Sequence, residues 1–287
     1  MFDCAVLALF LVYVVVQSRA AAFQLLGFGR KEKQMRLKKL LALSLVLTFC
    51  VCSFTLTSYA QKPPPCRPNL ASCPPEGCGT RFDPKLNQRK NIRTDNQPAI
   101  ARTLTSIKKL DDPEDFSQGD DRDELTALGE GQKVTVAAFL LVAKPEGAES
   151  CNCGLTDKAD TDNHLVLVSK FTVDKFPAGK TAAANRTAFR AREKESITAE
   201  FTPRVRLDHP NFTREKVQPL INARPKKALL VRVAGLLFFD SEHFIRHPLV
   251  RKTNWEIHPV LKLEFCETND NCKVGSNIGW KSLDDLP

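Results

Sequence analysis

The alternation of apolar and polar side chains is clearest along residues 255–265. Trp255, Ile257, Leu261, Leu263 and Phe265 fall on odd positions, and Glu256, His258, Lys262 and Glu264 on even ones, with Pro259 interrupting the series. A period of two marks a half-buried strand whose successive side chains point to opposite faces. Trp255 is therefore assigned to the interior, and Glu256 and His258 to the other face. The apolar run before it, residues 229–239, carries Val231 and Val233 and then Gly235, which predicts a bulge or sharp bend. Upstream, residues 133–145 read as one long apolar strand, and residues 163–173 and 196–206 alternate. In the second of these Ile197, Ala199 and Phe201 face one way, Thr198 and Glu200 the other. The stretch 174–194 reads as a basic loop with a helical turn around residues 181–188. Residues 211–222 read as a short helix capped by Asn211 or Thr213, with Pro219 limiting its regularity.

The predicted order is strand, strand, strand, helix, strand, strand, a mainly β domain. It resembles the oligonucleotide/oligosaccharide-binding (OB) barrel, a small five-stranded Greek-key barrel with one helix between strands three and four. The likeness covers about residues 132–265; a small mixed sheet packed on one helix is the alternative. The segments CPPEGCG, ESCNC, EFTPR and NWEIHPV also resemble signatures of a family of uncharacterised secreted bacterial proteins. That resemblance implies export and carries no chemistry with it.

The N-terminal part changes the picture of the charge. The chain of 287 residues has a formal charge of +9, but its first 60 residues hold seven bases and two acids, so the remainder carries +4. A mildly basic protein is a weak argument for nucleic acid. Met35 opens a positive segment, residues 40–56 are apolar and uncharged, and Ser58-Tyr59-Ala60 places small residues where a signal peptidase reads. The expected organisation is a signal peptide at 35–60, a Pro-rich, charged, cysteine-stapled tail at 61–131 that is disordered or extended, an OB-like domain at 132–272 and a C-terminal tail at 273–287. Residues 1–34 are either an upstream extension of the natural start or a short membrane segment, since residues 2–16 fall short of the about 20 apolar residues of a full span. The eight carboxylates of residues 111–124 lack a calcium-loop register and read as a solvated linker.

Seven cysteines follow the leader, and in an exported chain they are expected as disulfides. Cys73 and Cys78 are placed to join Cys151 and Cys153, Cys266 to join Cys272, and Cys66 is left over. A zinc site from Cys73, Cys78, Cys151 and Cys153 is the alternative, but neither spacing matches the usual C-x2-C knuckle, so no metal or other cofactor is expected there. A second group gathers at strand ends: Asp162, His164, Glu200, Asp240, Glu242, His243, Glu256 and His258, with His164, Asp240, His243, Glu256 and His258 the catalytic candidates. Carboxylate–histidine pairs suit general acid–base work or a divalent ion; the competing reading pairs the acids with Arg204, Arg246 and Arg251. Lys170, Arg190, Arg192 and Arg204, near Phe171, Phe176 and Phe189, are the ligand-binding candidates. No phosphate-binding loop or nucleophile elbow is present. These features lead to the expectation of an exported, periplasmic or secreted binding module for a polysaccharide, an anionic polymer or nucleic acid, touching a membrane only through an uncleaved N-terminus. A metal-assisted hydrolase or nuclease is the alternative. The exported protein should begin at Gln61; N-terminal sequencing that found residues from 1–34 instead would overturn the leader assignment.

Overall fold

Strand β2 (Lys133–Pro145) is paired on both sides, and through it the sheet closes on itself. It runs antiparallel to β3 (Asn163–Val168) over its second half and to β5 (Leu229–Phe239) over its first. β3 continues antiparallel to β4 (Ile197–Phe201), β4 lies parallel to β6 (Trp255–Cys266), and β6 returns antiparallel to β5. The result is a closed five-stranded barrel in the order β2-β3-β4-β6-β5, with the OB-like Greek-key connectivity. The computed structural model describes residues 66–79, 82–94, 96–114, 116–244, 250–268 and 271–287, all within one compact unit, Pro63–Pro287. The leader and membrane-segment assignments of residues 1–60 lie outside the described residues, as do Arg246 and His247. Among the described residues no helix is long and apolar enough to cross a membrane.

The barrel interior is filled by alternate residues: Val134, Val136, Ala138 and Leu140 from β2, Leu165 and Leu167 from β3, Ile197, Ala199 and Phe201 from β4. Gly235 does mark an irregularity. Val233 faces Leu263, Gly235 faces Val260 and Leu237 faces Ile257, so β6 carries an extra residue on each side of Val260. These bulges rephase the strand, and the interior residues become Trp255, Ile257, Val260, Leu263 and Phe265; Leu261, expected inside, is only partly buried. The strands close so tightly here that a Cβ at Gly235 would stand 2.3 Å from the Pro259 carbonyl oxygen and 2.6 Å from Ile257 Cγ2.

The alternating segments end sooner than their pattern suggests, because a hydroxyl cap turns each into a helix. Ser169 Oγ accepts from the Thr172 N–H and starts α4 (Lys170–Lys175); the Thr202 hydroxyl caps α6 (Pro203–Arg206). The expected loop at 174–194 is largely α5 (Ala182–Glu193), capped by Thr181. The helix between the third and fourth barrel strands is α7 (Arg214–Asn222), capped by Thr213, and α6 precedes it. Outside the barrel, Val173 of α4 and Phe189 of α5 cover a second apolar cluster with Phe139, Leu141, Val166 and Val168.

The flanking segments join the fold. Residues 66–131 are stapled by cysteines and also supply α1 (Pro84–Lys90), β1 (Ile100–Arg102), α2 (Leu104–Ile107) and α3 (Asp123–Leu128). β1 extends the sheet parallel to β2 and leaves Ile100 half exposed. The acidic stretch is not wholly solvated: Arg122 is buried, paired with Glu130, and donates to the Phe239 carbonyl. At the other end β7 (Trp280–Ser282) pairs with β6, and Leu283 enters the core.

Among the described residues three disulfides are formed: Cys66–Cys78, Cys73–Cys153 and Cys266–Cys272. Cys266–Cys272 is as expected, and Cys73 does reach the Cys151/Cys153 loop. The assignment of the other bridge is corrected, since Cys78 bonds Cys66 and the free, buried thiol is Cys151. Disulfides of this number suit an extracellular or periplasmic compartment. Trp255 is fully enclosed, edge-on to Phe239 at 5.2 Å between ring centroids, with Nε1 donating to the Asp111 carbonyl at 3.0 Å. Trp255→Ala should therefore cost about 3–5 kcal/mol in denaturant unfolding; a loss under about 1 kcal/mol would contradict its place in the core.

Candidate functional site

The outward face of β3, β4 and β6 should be wet, and it is not. His164 stands opposite Glu200 in the β3–β4 register, and Glu256 and His258 follow on β6 beside β4. Glu200 is 2% exposed, and Glu256 and His258 are 1% exposed. The expectation that His258 lies on a solvent face is thus corrected. The cover comes from the cysteine-stapled segment. Cys73–Cys153 ties it to the β2–β3 loop, and α1 packs on the 3-10 turn Ser150–Asn152 and on β6. The Cys78 N–H donates to the Ser150 carbonyl at 2.8 Å, an approach so close that a Cβ at Gly77 would lie 2.0 Å from that oxygen. Asn87 Nδ2 donates to the Glu76 carbonyl and Asn91 Nδ2 to the carbonyls of Pro75 and Cys151.

Beneath this cover carboxylates and imidazoles alternate. His164 Nδ1 lies 2.8 Å from Glu146 Oε1, and its Nε2 lies 2.6 Å from Glu200 Oε1. The other oxygen of Glu200 is 2.9 Å from His258 Nδ1, off the line that a hydrogen bond needs, and His258 Nε2 stands 3.7 Å from Asp162 Oδ2. Asp162 Oδ1 accepts from Asn152 Nδ2 at 2.8 Å. Beyond Asp162, the Cys151 thiol donates to Glu149 Oε2 at 3.1 Å, and Glu149 Oε1 pairs with buried Lys90 at 3.2 Å. On the far side Arg251 reaches both Asp240 and Glu256, and Asp240 also holds His243 Nδ1 at 2.6 Å. Sequence reasoning placed His164, Asp240, His243, Glu256 and His258 as candidates, and the fold gathers all five into this network.

Burial sets its electrostatics. It pushes the Asp162 carboxyl well above the usual range, with repulsion from Glu149 and Glu200 adding to the shift. Burial likewise raises Glu256, despite Arg251. Burial would raise Glu200 too, but His164 and His258 outweigh it and hold that carboxylate well below its ordinary value. His164 is the complement: burial disfavours its charge, yet Glu200 and Glu146 raise it well above 6.5. The Cys151 thiol is raised by burial and by Glu149. The permanent cations that pair with these acids are Lys90 and Arg251, and the imidazoles of His164, His243 and His258 stand between the remaining carboxylates.

A cleft of about 540 Å3 opens beside it, lined by Glu146, Glu149, Glu242 and His243 with the backbone around Cys78 and Gly154. It lies between the loop after β2 and the start of the loop after β5. The ligand-binding candidates go elsewhere. Arg192 is buried and donates to the Phe176 and Lys226 carbonyls; Arg204 donates to the carbonyls of Cys73 and Pro74, holding the stapled segment down. Lys170 pairs with Asp174, and Arg190 is exposed on α5. Sequence reasoning missed Lys90, Glu146, Glu149 and Asn152. Glu149 and Asn152 stand inside the ESCNC segment, so its cysteines were the available signal. Comparison with protein-family models, curated proteins and solved structures finds no match for this chain.

The pH dependence of stability follows from these shifts. The His164 contribution is fully present below its ordinary value of 6.5 and is lost as pH rises through the raised folded value. Asp162 and Glu256 add losses of the same sign, starting from their ordinary values of 3.8 and 4.5. Glu200 runs the other way, with its contribution present above 4.5 and lost as pH falls through its depressed value. Thermal melts from about pH 6.5 to about pH 9 should fall steadily for the native protein and less steeply for His164→Gln. Equal slopes would remove His164 as a source of the dependence.

Proposed function

We propose that this chain is an exported binding module of OB-like form that takes a cationic ligand into the cleft between the β2–β3 and β5–β6 loops. The single observation that supports this is the lining: Glu146, Glu149 and Glu242 with His243 at the mouth of a cleft of about 540 Å3. Nucleic acid and other polyanions need lysines and arginines on the contact surface, and among the described residues the lining supplies none. Among the described residues no phenylalanine, tyrosine or tryptophan lines the cleft either, which weighs against sugar stacking. An ammonium or guanidinium group matches the carboxylates. Export rests on the leader pattern of residues 35–60, on the likeness to secreted bacterial proteins and on the three disulfides.

One feature favours hydrolysis as a second reading. Asp240 fixes His243 through Nδ1 at 2.6 Å, the arrangement that readies an imidazole for general-base work. Binding is tested by calorimetry with spermidine, an oligo-arginine peptide, a single-stranded oligonucleotide and a sulfated polysaccharide. The cationic probes should bind, and Glu242→Gln should weaken them roughly fivefold, about 1 kcal/mol for a partly exposed pair. Binding of the oligonucleotide alone, or cationic binding indifferent to Glu242→Gln, would overturn the reading. Turnover of an activated phosphodiester or ester that disappears in His243→Ala would replace it with the hydrolase.

A further inference from the structure

We propose that Asp162, Glu200 and His258 form a binding site for one divalent transition-metal ion, zinc being the favoured one. This does not rest on the cleft reading. Each of the three residues offers one donor atom, and these atoms lie within 4.8 Å of one another. An ion held at about 2.0–2.2 Å from oxygen and nitrogen ligands places its donors up to about 4 Å apart, so small side-chain rotations close the shell.

The unpaired atoms are the independent observation. Asp162 Oδ2 and His258 Nε2, 3.7 Å apart, make no hydrogen bond, although both side chains are 1% exposed, and Glu200 Oε2 meets only His258 Nδ1, at 2.9 Å. Buried polar atoms are ordinarily partnered, and here the unpartnered ones face each other. The other oxygen of each carboxylate is already committed, Asp162 Oδ1 to Asn152 Nδ2 and Glu200 Oε1 to His164 Nε2. Each carboxylate is thus oriented by one oxygen and presents the other, which is how outer partners fix metal ligands. The scaffold is rigid: Glu200 and His258 stand on neighbouring strands, and Asp162 precedes β3 with its carbonyl bonded to the Glu146 N–H.

The donor chemistry selects the ion. An imidazole with two carboxylates suits zinc and its first-row neighbours, whereas calcium and magnesium take oxygen ligands and keep more water. Glu149 and Cys151 form a second group with Asp162 whose donor atoms also lie within 4.8 Å. The cleft borders this group through Glu146 and Glu149, and that is the entry path.

The test uses purified protein carrying no histidine tag, stripped with a chelator, dialysed and titrated with Zn2+ alone. Elemental analysis should find one zinc per chain, and the melting temperature should rise with free zinc. Asp162→Asn removes a buried, uncompensated carboxylate, so its metal-free melt should stay at or above the native one, while its zinc affinity falls at least about a hundredfold. Glu200→Gln, with folding checked by circular dichroism, should lose zinc as well. His209→Gln, at a histidine outside the network, should bind zinc as the native protein does. A native protein that holds no zinc at micromolar free ion would overturn the proposal. So would an Asp162→Asn variant that binds as tightly as the native protein.

Discussion

The cover laid over β3, β4 and β6 by the stapled segment is the constraint from which the rest of the site follows. Glu200, Glu256 and His258 sit on the outer wall of a barrel, where an OB-like domain would normally meet water. The Cys73–Cys153 bridge, closed over 80 residues of chain, holds α1 and its turns against that wall. In the chain-entropy account a bridge of that span stabilises by on the order of 4 kcal/mol, enough to offset part of the cost of dehydrating charged groups. Arg204 adds a second fastening through the Cys73 and Pro74 carbonyls. Every large shift in the network begins with burial, and burial begins with this cover.

The barrel was legible because its interior obeys a simple rule. Period-two alternation located β3, β4 and β6, apolar runs of strand length located β2 and β5, and the cluster Val231–Val233–Gly235 located the bend. The rule failed where local chemistry outweighed it. Ser169 and Thr202 stop two strands by offering a hydroxyl to the next turn, and a polar residue at a strand end carries no sign of which role it takes until the following N–H groups are placed. The phase of β6 was lost for a different reason. A bulge adds a residue without changing composition, so Val260 replaced Leu261 inside although both are apolar.

The site was legible as a residue list but not as a geometry. His164, Glu200, Asp240, His243, Glu256 and His258 were drawn together from strand ends, and the fold confirms their proximity. Their burial was hidden because the cover has no hydrophobic period: residues 66–94 are held by cysteines, asparagine amides and one arginine. Cysteine spacing could not settle the connectivity, since several pairings satisfy the same count. The exchange of Cys66 for Cys151 matters chemically, because it leaves a thiol rather than a bridge beside Asp162 and Glu149.

The distribution of charge closes the argument about ligands. Residues 61–287 are mildly basic, yet the basic residues among those described are spread or committed. Arg192 clips α5 to neighbouring carbonyls, Arg204 clips the cover, and Arg122 ties the acidic segment to the barrel. The acids, by contrast, converge on one wall and on the cleft beside it. Net charge describes what the surface as a whole attracts, whereas a site answers to the groups that face it. The proposal of a cationic ligand therefore rests on the groups that line the recess and not on the overall sign of the chain. Within the network Glu200 is balanced by His164 and His258, whereas Asp162 has Asn152 on one oxygen and His258 no nearer than 3.7 Å on the other.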